Sequence, residues 1–171
     1  MLRLKTAKKI QGFTLTEVVT VLFMAGVLAS FAAPSFLAMN EKNEVNSAVT
    51  SVQGALKEAQ TEGMRKSKTC NITLSSTAIT SSTGCLITGD RALDKVSLVS
   101  SNNNFAFDMK GITVNNSTPP TNLTNSVVLV LISNSNQKLR RCVVLSAPLG
   151  LIRTGKYSGS LIPPIESNCT P

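Results

Sequence analysis

Three observations predict an α+β chain: an apolar run from Phe13 to Ala38, an apolar stripe at helical spacing after it, and a series of short β-prone segments beyond Lys68. The expected architecture is a long N-terminal helix, with one membrane-type half and one amphipathic half, packed on an antiparallel β-sheet. Residues 1–12 form a short basic segment, 13–38 the apolar half-helix, 39–66 the amphipathic half, and 67–171 a β-rich globular domain. The 171 residues suit one small domain plus one long element.

The apolar half comes first. Between Phe13 and Ala38 the residues are apolar or small, and Glu17 carries the one charge. Crossing a bilayer takes about 20 mostly apolar residues, which this run exceeds. A carboxylate inside such a run is expensive in lipid without a partner, so Glu17 is a functional candidate. Pro34 cannot donate to a helical ladder, and with Gly26 it predicts a kink or local melting over 26–34. Arg3, Lys5, Lys8 and Lys9 precede the run. Cytoplasmic flanks carry the Lys and Arg excess, which places residues 39 onward outside the cytoplasm. Losing those four cations leaves 13 Lys and Arg against 9 Asp and Glu, so the formal charge falls from +8 to +4.

The second half of the helix follows from spacing. Val45, Ala48, Val49, Val52, Leu56 and Ala59 recur three and four apart and form one stripe, expected to dock on the chain's own sheet. Glu62 and Lys66 make a favourable i, i+4 pair. Gly63 and the basic Arg65, Lys66 and Lys68 mark the helix end. A continuous helix from 13 to 66 would be roughly 80 Å long.

Beyond Lys68 the strands are expected at Cys70–Leu74, Cys85–Thr88, Val96–Val99, Phe105–Phe107, Gly111–Val114, Val127–Ile132 and Arg141–Leu145. Val127–Ile132 is unbroken and apolar, which predicts a central strand buried on both faces. Ser100–Asn104 and Asn115–Thr124 are loops. From Ser158 the tail is expected to be irregular and to fray unless Cys169 staples it. The even cysteine count suits an oxidising compartment. Four cysteines pair in three ways; Cys70 with Cys85 is the local choice, leaving Cys142 with Cys169 to tie down the tail.

Chemistry of the enzymatic kind finds little support. There is no histidine, so acid–base work would fall to Asp, Glu, Lys or Tyr. Asp90, Asp94 and Asp108 stand apart on expected loops and strand edges. No Gly-rich phosphate loop or nucleophile elbow occurs, and the cysteine spacing lacks the CxxC pair of a structural zinc site. The expectation is a non-enzyme without cofactor or metal.

The basic segment, then Gly12-Phe13-Thr14-Leu15-Thr16-Glu17, then an apolar run with Gly26 and Pro34, resembles the N-terminus of type IV prepilins and type II secretion pseudopilins. The rival readings are a secretory signal peptide, with Val18–Ala33 as its apolar region, and a plain single-pass anchor. Glu17 would sit badly in the first and be idle in the second. The resemblance implies the pilin fold, a leader over residues 1–12, and cleavage by a prepilin peptidase between Gly12 and Phe13. It also implies N-methylation of the new Phe13 amine, and pairing of Glu17 with that amine on a neighbouring subunit during assembly. The implied place is the inner membrane, single-pass with the C-terminal domain extracytoplasmic, and later a filament at the cell surface or in the periplasm. The implied partners are the peptidase and other major and minor pilins or pseudopilins.

The C-terminal half is similar to the GspH/FimT-like minor branch of that family, through Phe105–Gly111, Arg141–Ser146 and Gly150–Gly155. The last two resemble the branch's final strand pair. Some members of this branch serve natural transformation, binding DNA through a Gly-Arg-x-Arg segment. Gly150 and Arg153 match it, while Leu151 stands where the first arginine would. Lys138, Arg140, Arg141, Arg153 and Lys156 are the candidates for DNA contact, as cations able to neutralise phosphates. The simpler reading, and the preferred one, is a solvated rim of edge strands, where Lys and Arg discourage edge-to-edge pairing. The chain is expected to prime or form a pilus; a secretion pseudopilus and a DNA-capturing minor pilin are the alternatives.

Overall fold

The computed structural model describes residues 12–117 and 119–171, apart from the side chains of residues 31–34. Arg3, Lys5, Lys8 and Lys9, and the Pro34 side chain invoked for a kink, lie outside the described residues. The protein is α+β, with a helix packed on antiparallel sheets. The helix, α1, spans Leu15–Lys66. The chain divides into two compact units, Met1–Met39 and Asn40–Pro171.

In the first unit Thr14 caps α1. Its Oγ1 accepts from the Glu17 backbone N–H at 3.3 Å, and its carbonyl accepts from Val18 N–H at 3.2 Å. Thr14-Leu15-Thr16-Glu17 has the spacing of a capping box, and an acidic side chain in the first turn suits the positive end of the helix dipole. The apolar side chains that follow are exposed: Phe13 82%, Phe23 73% and Leu28 72%. Among the described residues no single helix is long and apolar enough to cross a membrane; Leu15–Ser30 and Ser35–Lys66 satisfy length and composition together, as a bent pair.

In the second unit two five-stranded antiparallel sheets share one core with α1, where a single sheet was expected. The first contains β1 (Cys70–Leu74), β2 (Ala78–Thr80), β3 (Arg91–Ala92), β5 (Asn104–Phe107) and β6 (Thr113–Val114), in the order β3-β2-β1-β5-β6. The second contains β4 (Val96–Ser100), β7 (Val127–Ser133), β8 (Arg140–Ser146), β9 (Leu151–Tyr157) and β10 (Cys169–Thr170), in the order β10-β9-β8-β7-β4. The predicted stripe does face them: Val45, Val52, Leu56 and Ala59 are buried, with Ala48 and Val49 partly covered. Ala55 joins this core, against Ile72, Phe105 and Phe107 of the first sheet and Leu129, Leu131 and Val143 of the second.

β7 is buried on both faces, as its unbroken apolar sequence demands, but β8 occupies the centre of the sheet. Val127, Leu129 and Leu131 face the α1 core. Val128 and Val130 face a second cluster with Cys142, Val144, Tyr157 and Cys169. The tail supplies that second cover. Ser158 N–H donates to Asn168 O at 3.0 Å, Tyr157 Oη donates to Ser160 O at 2.5 Å, and Ile165 N–H donates to Tyr157 Oη at 3.1 Å. A 3-10 turn, Glu166–Asn168, then leads into β10. The tail expected to be irregular therefore returns to the sheet. The disulfides are Cys70–Cys85 and Cys142–Cys169, each with Cα atoms 5.9 Å apart.

Two expected strands differ. Cys85–Thr88 is a turn segment flanked by Gly84 and Gly89, both at positive φ. Its apolar Cys85 and Leu86 are buried as core side chains and not through a ladder. Gly111–Val114 shortens to β6 because Gly111, at φ 78°, closes a turn. The Asp108 carboxylate accepts from Lys110 and Ile112 N–H there, both at 2.8 Å.

Candidate functional site

Within the first unit, Phe13 lies just before α1 and Glu17 in its first turn. With Val18, Val21 and Leu22 they line a hollow of about 260 Å³ along the helix surface. The Glu17 carboxylate has no hydrogen-bond or ion-pair partner among the described residues, and its neighbours on that face are apolar and exposed. The arrangement is a cap that starts a helix, one uncompensated carboxylate, and an apolar surface that water solvates poorly. Gly26 lies inside α1 with open space where a Cβ would stand.

In the second unit the register decides where the five candidate cations go. Arg141 pairs with Lys156 across β8 and β9, and Arg153 pairs with Val144. Side chains alternate along a strand, so Arg141 and Lys156 share the face of Val143 and Leu145, the α1 side. Arg140 and Arg153 stand on the opposite face, with Cys142 and Val144. Sequence proximity suggested one patch; the two-residue period divides it. Arg153 is also engaged by Glu166 in the tail, a partner that its distance in sequence concealed. Lys138 is in the turn before β8, and Arg140 is fixed by Nε donating to Gln137 O at 2.8 Å and Nη1 to Gly159 O at 3.2 Å. Lys138, Arg140, Arg141 and Lys156 have no carboxylate within 4 Å among the described residues.

Two polar clasps that sequence reading missed hold α1 to the sheets. Gln60 donates through Nε2 to Gly111 O at 2.8 Å and Gly150 O at 3.4 Å. Gly150 is at φ 70°, and a Cβ there would stand 2.6 Å from Gln60 Nε2, so the close approach requires glycine. Glu58 accepts from Thr88 N–H at 3.1 Å and from Arg91 Nη2 at 2.7 Å. Burial pushes the Glu58 carboxyl up, but Thr88 and Ile87 hydrogen bonds and the Arg91 charge together hold it below its ordinary value. A lowered carboxyl adds stability above its unfolded-state value, and that stability is lost as pH falls through the folded value. Acidification from neutral pH to about pH 3 should therefore lower the melting temperature of the wild-type chain more than that of Glu58→Gln. Parallel melting curves for the two would remove the clasp from the acid response.

No family model, curated protein or solved structure matches the chain.

Proposed function

We propose that the chain is a minor pilin-like subunit with the pilin fold. Prepilin peptidase would cut between Gly12 and Phe13, the new Phe13 amine would be N-methylated, and Phe13–Ala38 would hold the protein in the inner membrane until assembly. Its partners would be other pilins of a pilus, the same assembly chemistry also serving a secretion pseudopilus. One observation carries the reading: Glu17 is a carboxylate without a partner among the described residues, on an exposed apolar helix face that begins at a Gly-Phe-Thr-Leu-Thr-Glu sequence.

The physical case concerns charge in a poor solvent. In an apolar assembly an unpaired carboxylate costs several kcal/mol, and a neighbour's Phe13 amine offsets much of that. A register that misses the pair is penalised, so the pairing selects the correct one. Glu17→Ala is expected to leave cleavage at Gly12–Phe13 intact while sharply reducing incorporation into filaments. Mass measurement of the mature N-terminus and immunoblotting of sheared filaments would check both. A mature chain beginning after Ala33 would identify a signal peptide instead, and normal incorporation of Glu17→Ala would remove the assembly role.

The register at β8 and β9 bears on the DNA-capturing alternative. With Arg153 engaged by Glu166 and the remaining cations divided between two faces, no single groove on this sheet gathers all five candidates for a strand to follow.

A further inference from the structure

Of the five candidate cations, the four without a carboxylate partner among the described residues, Lys138, Arg140, Arg141 and Lys156, gather at one end of the second unit, and that end can be located. Lys95 Nζ pairs with Glu44 Oε1 at 2.7 Å, fixing the start of β4 beside α1. Val96 pairs with Ser133, and Ile132 pairs with Arg140. Arg141 pairs with Lys156 on the next strand. The turn carrying Lys138 and the ends of β7, β8 and β9 therefore lie at the same end of the sheet as Glu44. Glu44 is four residues beyond Asn40, where the unit begins, about 6 Å of helical rise. The first residues of the second unit are therefore at this end.

Cations fringe both faces of the sheet here, Arg141 and Lys156 on the α1 side and Arg140 on the other. Such a fringe does not suit a polymer lying along one face. It suits a plane laid across the end of the sheet. Among the described residues, side-chain carboxylates near this end include Glu41, Glu44 and Asp94, and Glu44 is taken by Lys95. Lys42 adds a further cation, so positive charge dominates.

We infer that this end of the domain is a headgroup-docking surface for anionic phospholipid, with Lys138, Arg140, Arg141 and Lys156 as its contacts. The inference rests on the reading that Phe13–Ala38 lies in a bilayer. A run of that length, at 1.5 Å per residue, exceeds a hydrocarbon core of about 30 Å and ends among the headgroups. Cations just past its end meet a negative surface potential that reaches about one Debye length into water. Arg140 is prepared for such contact, because the Gln137 and Gly159 carbonyls hold two of its nitrogens and fix the guanidinium in place. Docking would hold the domain at the membrane surface until a subunit is withdrawn into a filament, and release would require breaking several weak charge contacts together.

The test is hydrogen–deuterium exchange on the mature full chain in nanodiscs, either wholly zwitterionic or about one-third anionic lipid. Exchange is expected to slow over 134–141 and 156–160 only with anionic lipid, and the slowing should disappear in about 0.5 M salt. Lys138→Gln, Arg141→Gln and Lys156→Gln should each weaken the slowing by about fivefold, following the contribution of one cation near such a surface. Equal exchange in both lipid compositions, with the chain co-eluting with the discs, overturns headgroup docking alone. A chain that fails to co-elute with discs overturns the bilayer reading as well. Slowing produced by added duplex DNA but not by anionic lipid overturns lipid docking and assigns the cations to nucleic-acid phosphates.

Discussion

Phe107→Ala is expected to be among the most destabilising truncations in Asn40–Pro171, lowering stability by about 3–5 kcal/mol. Phe107 is fully buried on β5, and its ring meets that of Phe105 edge to face, with centroids 5.8 Å apart. It sits where three elements converge. β5 pairs with β1 through Cys70↔Phe107. A Cβ on Gly63 of α1 would be 3.5 Å from the Phe107 carbonyl, and one on Gly150 would be 3.4 Å from its ring. Truncation would leave a cavity that neither backbone can close without losing the Gln60 clasp to Gly111 and Gly150. Domains of this size hold about 5–15 kcal/mol in total, so a loss on that scale moves a sizeable fraction of the population toward unfolding. Urea unfolding of the oxidised chain, monitored by far-ultraviolet circular dichroism, reads it directly. A midpoint shift worth less than about 1 kcal/mol would mean that the junction repacks freely and that the convergence of β5, α1 and the β8–β9 turn is not what holds it.

Strong periodicity made much of this legible in the sequence. The stripe from Val45 to Ala59 docks as its spacing requires, because a helix has one way to bury such a stripe. Val127–Ile132 has to be covered on both faces, and it is. The local cysteine pairing agrees with the structure because Cys70 and Cys85 close a short loop. Elsewhere the sequence signal was weak or ambiguous. β2 and β3 are short and carry no apolar run, so only their partners define them. Cys85–Thr88 carries a strand-like apolar composition, yet Gly84 and Gly89 turn the chain at both ends and the burial comes from side chains. The division into two sheets rests on long-range pairing that no local pattern encodes.

The site was legible in one part and obscured in another. Glu17 stands out because a charge interrupts an apolar run, and the Thr14-x-x-Glu17 spacing that caps α1 was also present to be read. The basic residues looked like one cluster only while they were counted along the chain. A strand's two-residue period places neighbours on opposite faces, so Arg140 and Arg141 separate, and Arg141 joins Lys156, fifteen positions away in sequence. Glu166 reaches Arg153 only because the tail folds back, an arrangement expected to depend on Cys169.

Removing the Cys142–Cys169 bridge tests that dependence. Cys142→Ala with Cys169→Ala is expected to cost about 2–4 kcal/mol and lower the melting temperature by about 10 °C. The bridge joins the central strand of its sheet to the last strand, closing a separation of 27 residues. Between those points lie β9, which β10 pairs through only Tyr157 and Lys156, and a tail held mainly by hydrogen bonds around Tyr157. Two ladder positions alone do not hold a strand against the entropy of fourteen terminal residues, 158–171. Without the bridge β10 should detach and uncover Val128, Val130 and Val144, which turns a buried face into an exposed apolar patch. The signature is therefore specific. Limited proteolysis should cut within 158–168 in the variant while leaving β1–β8 intact, and a hydrophobic dye should bind where it did not before. Loss of Cys70–Cys85 should instead open 81–90 and leave the tail protected. If the Cys142/Cys169 variant keeps its tail resistant to protease, the cover over the second cluster is held by packing around Tyr157 and Leu161, and the bridge stabilises the fold only by restricting the unfolded chain.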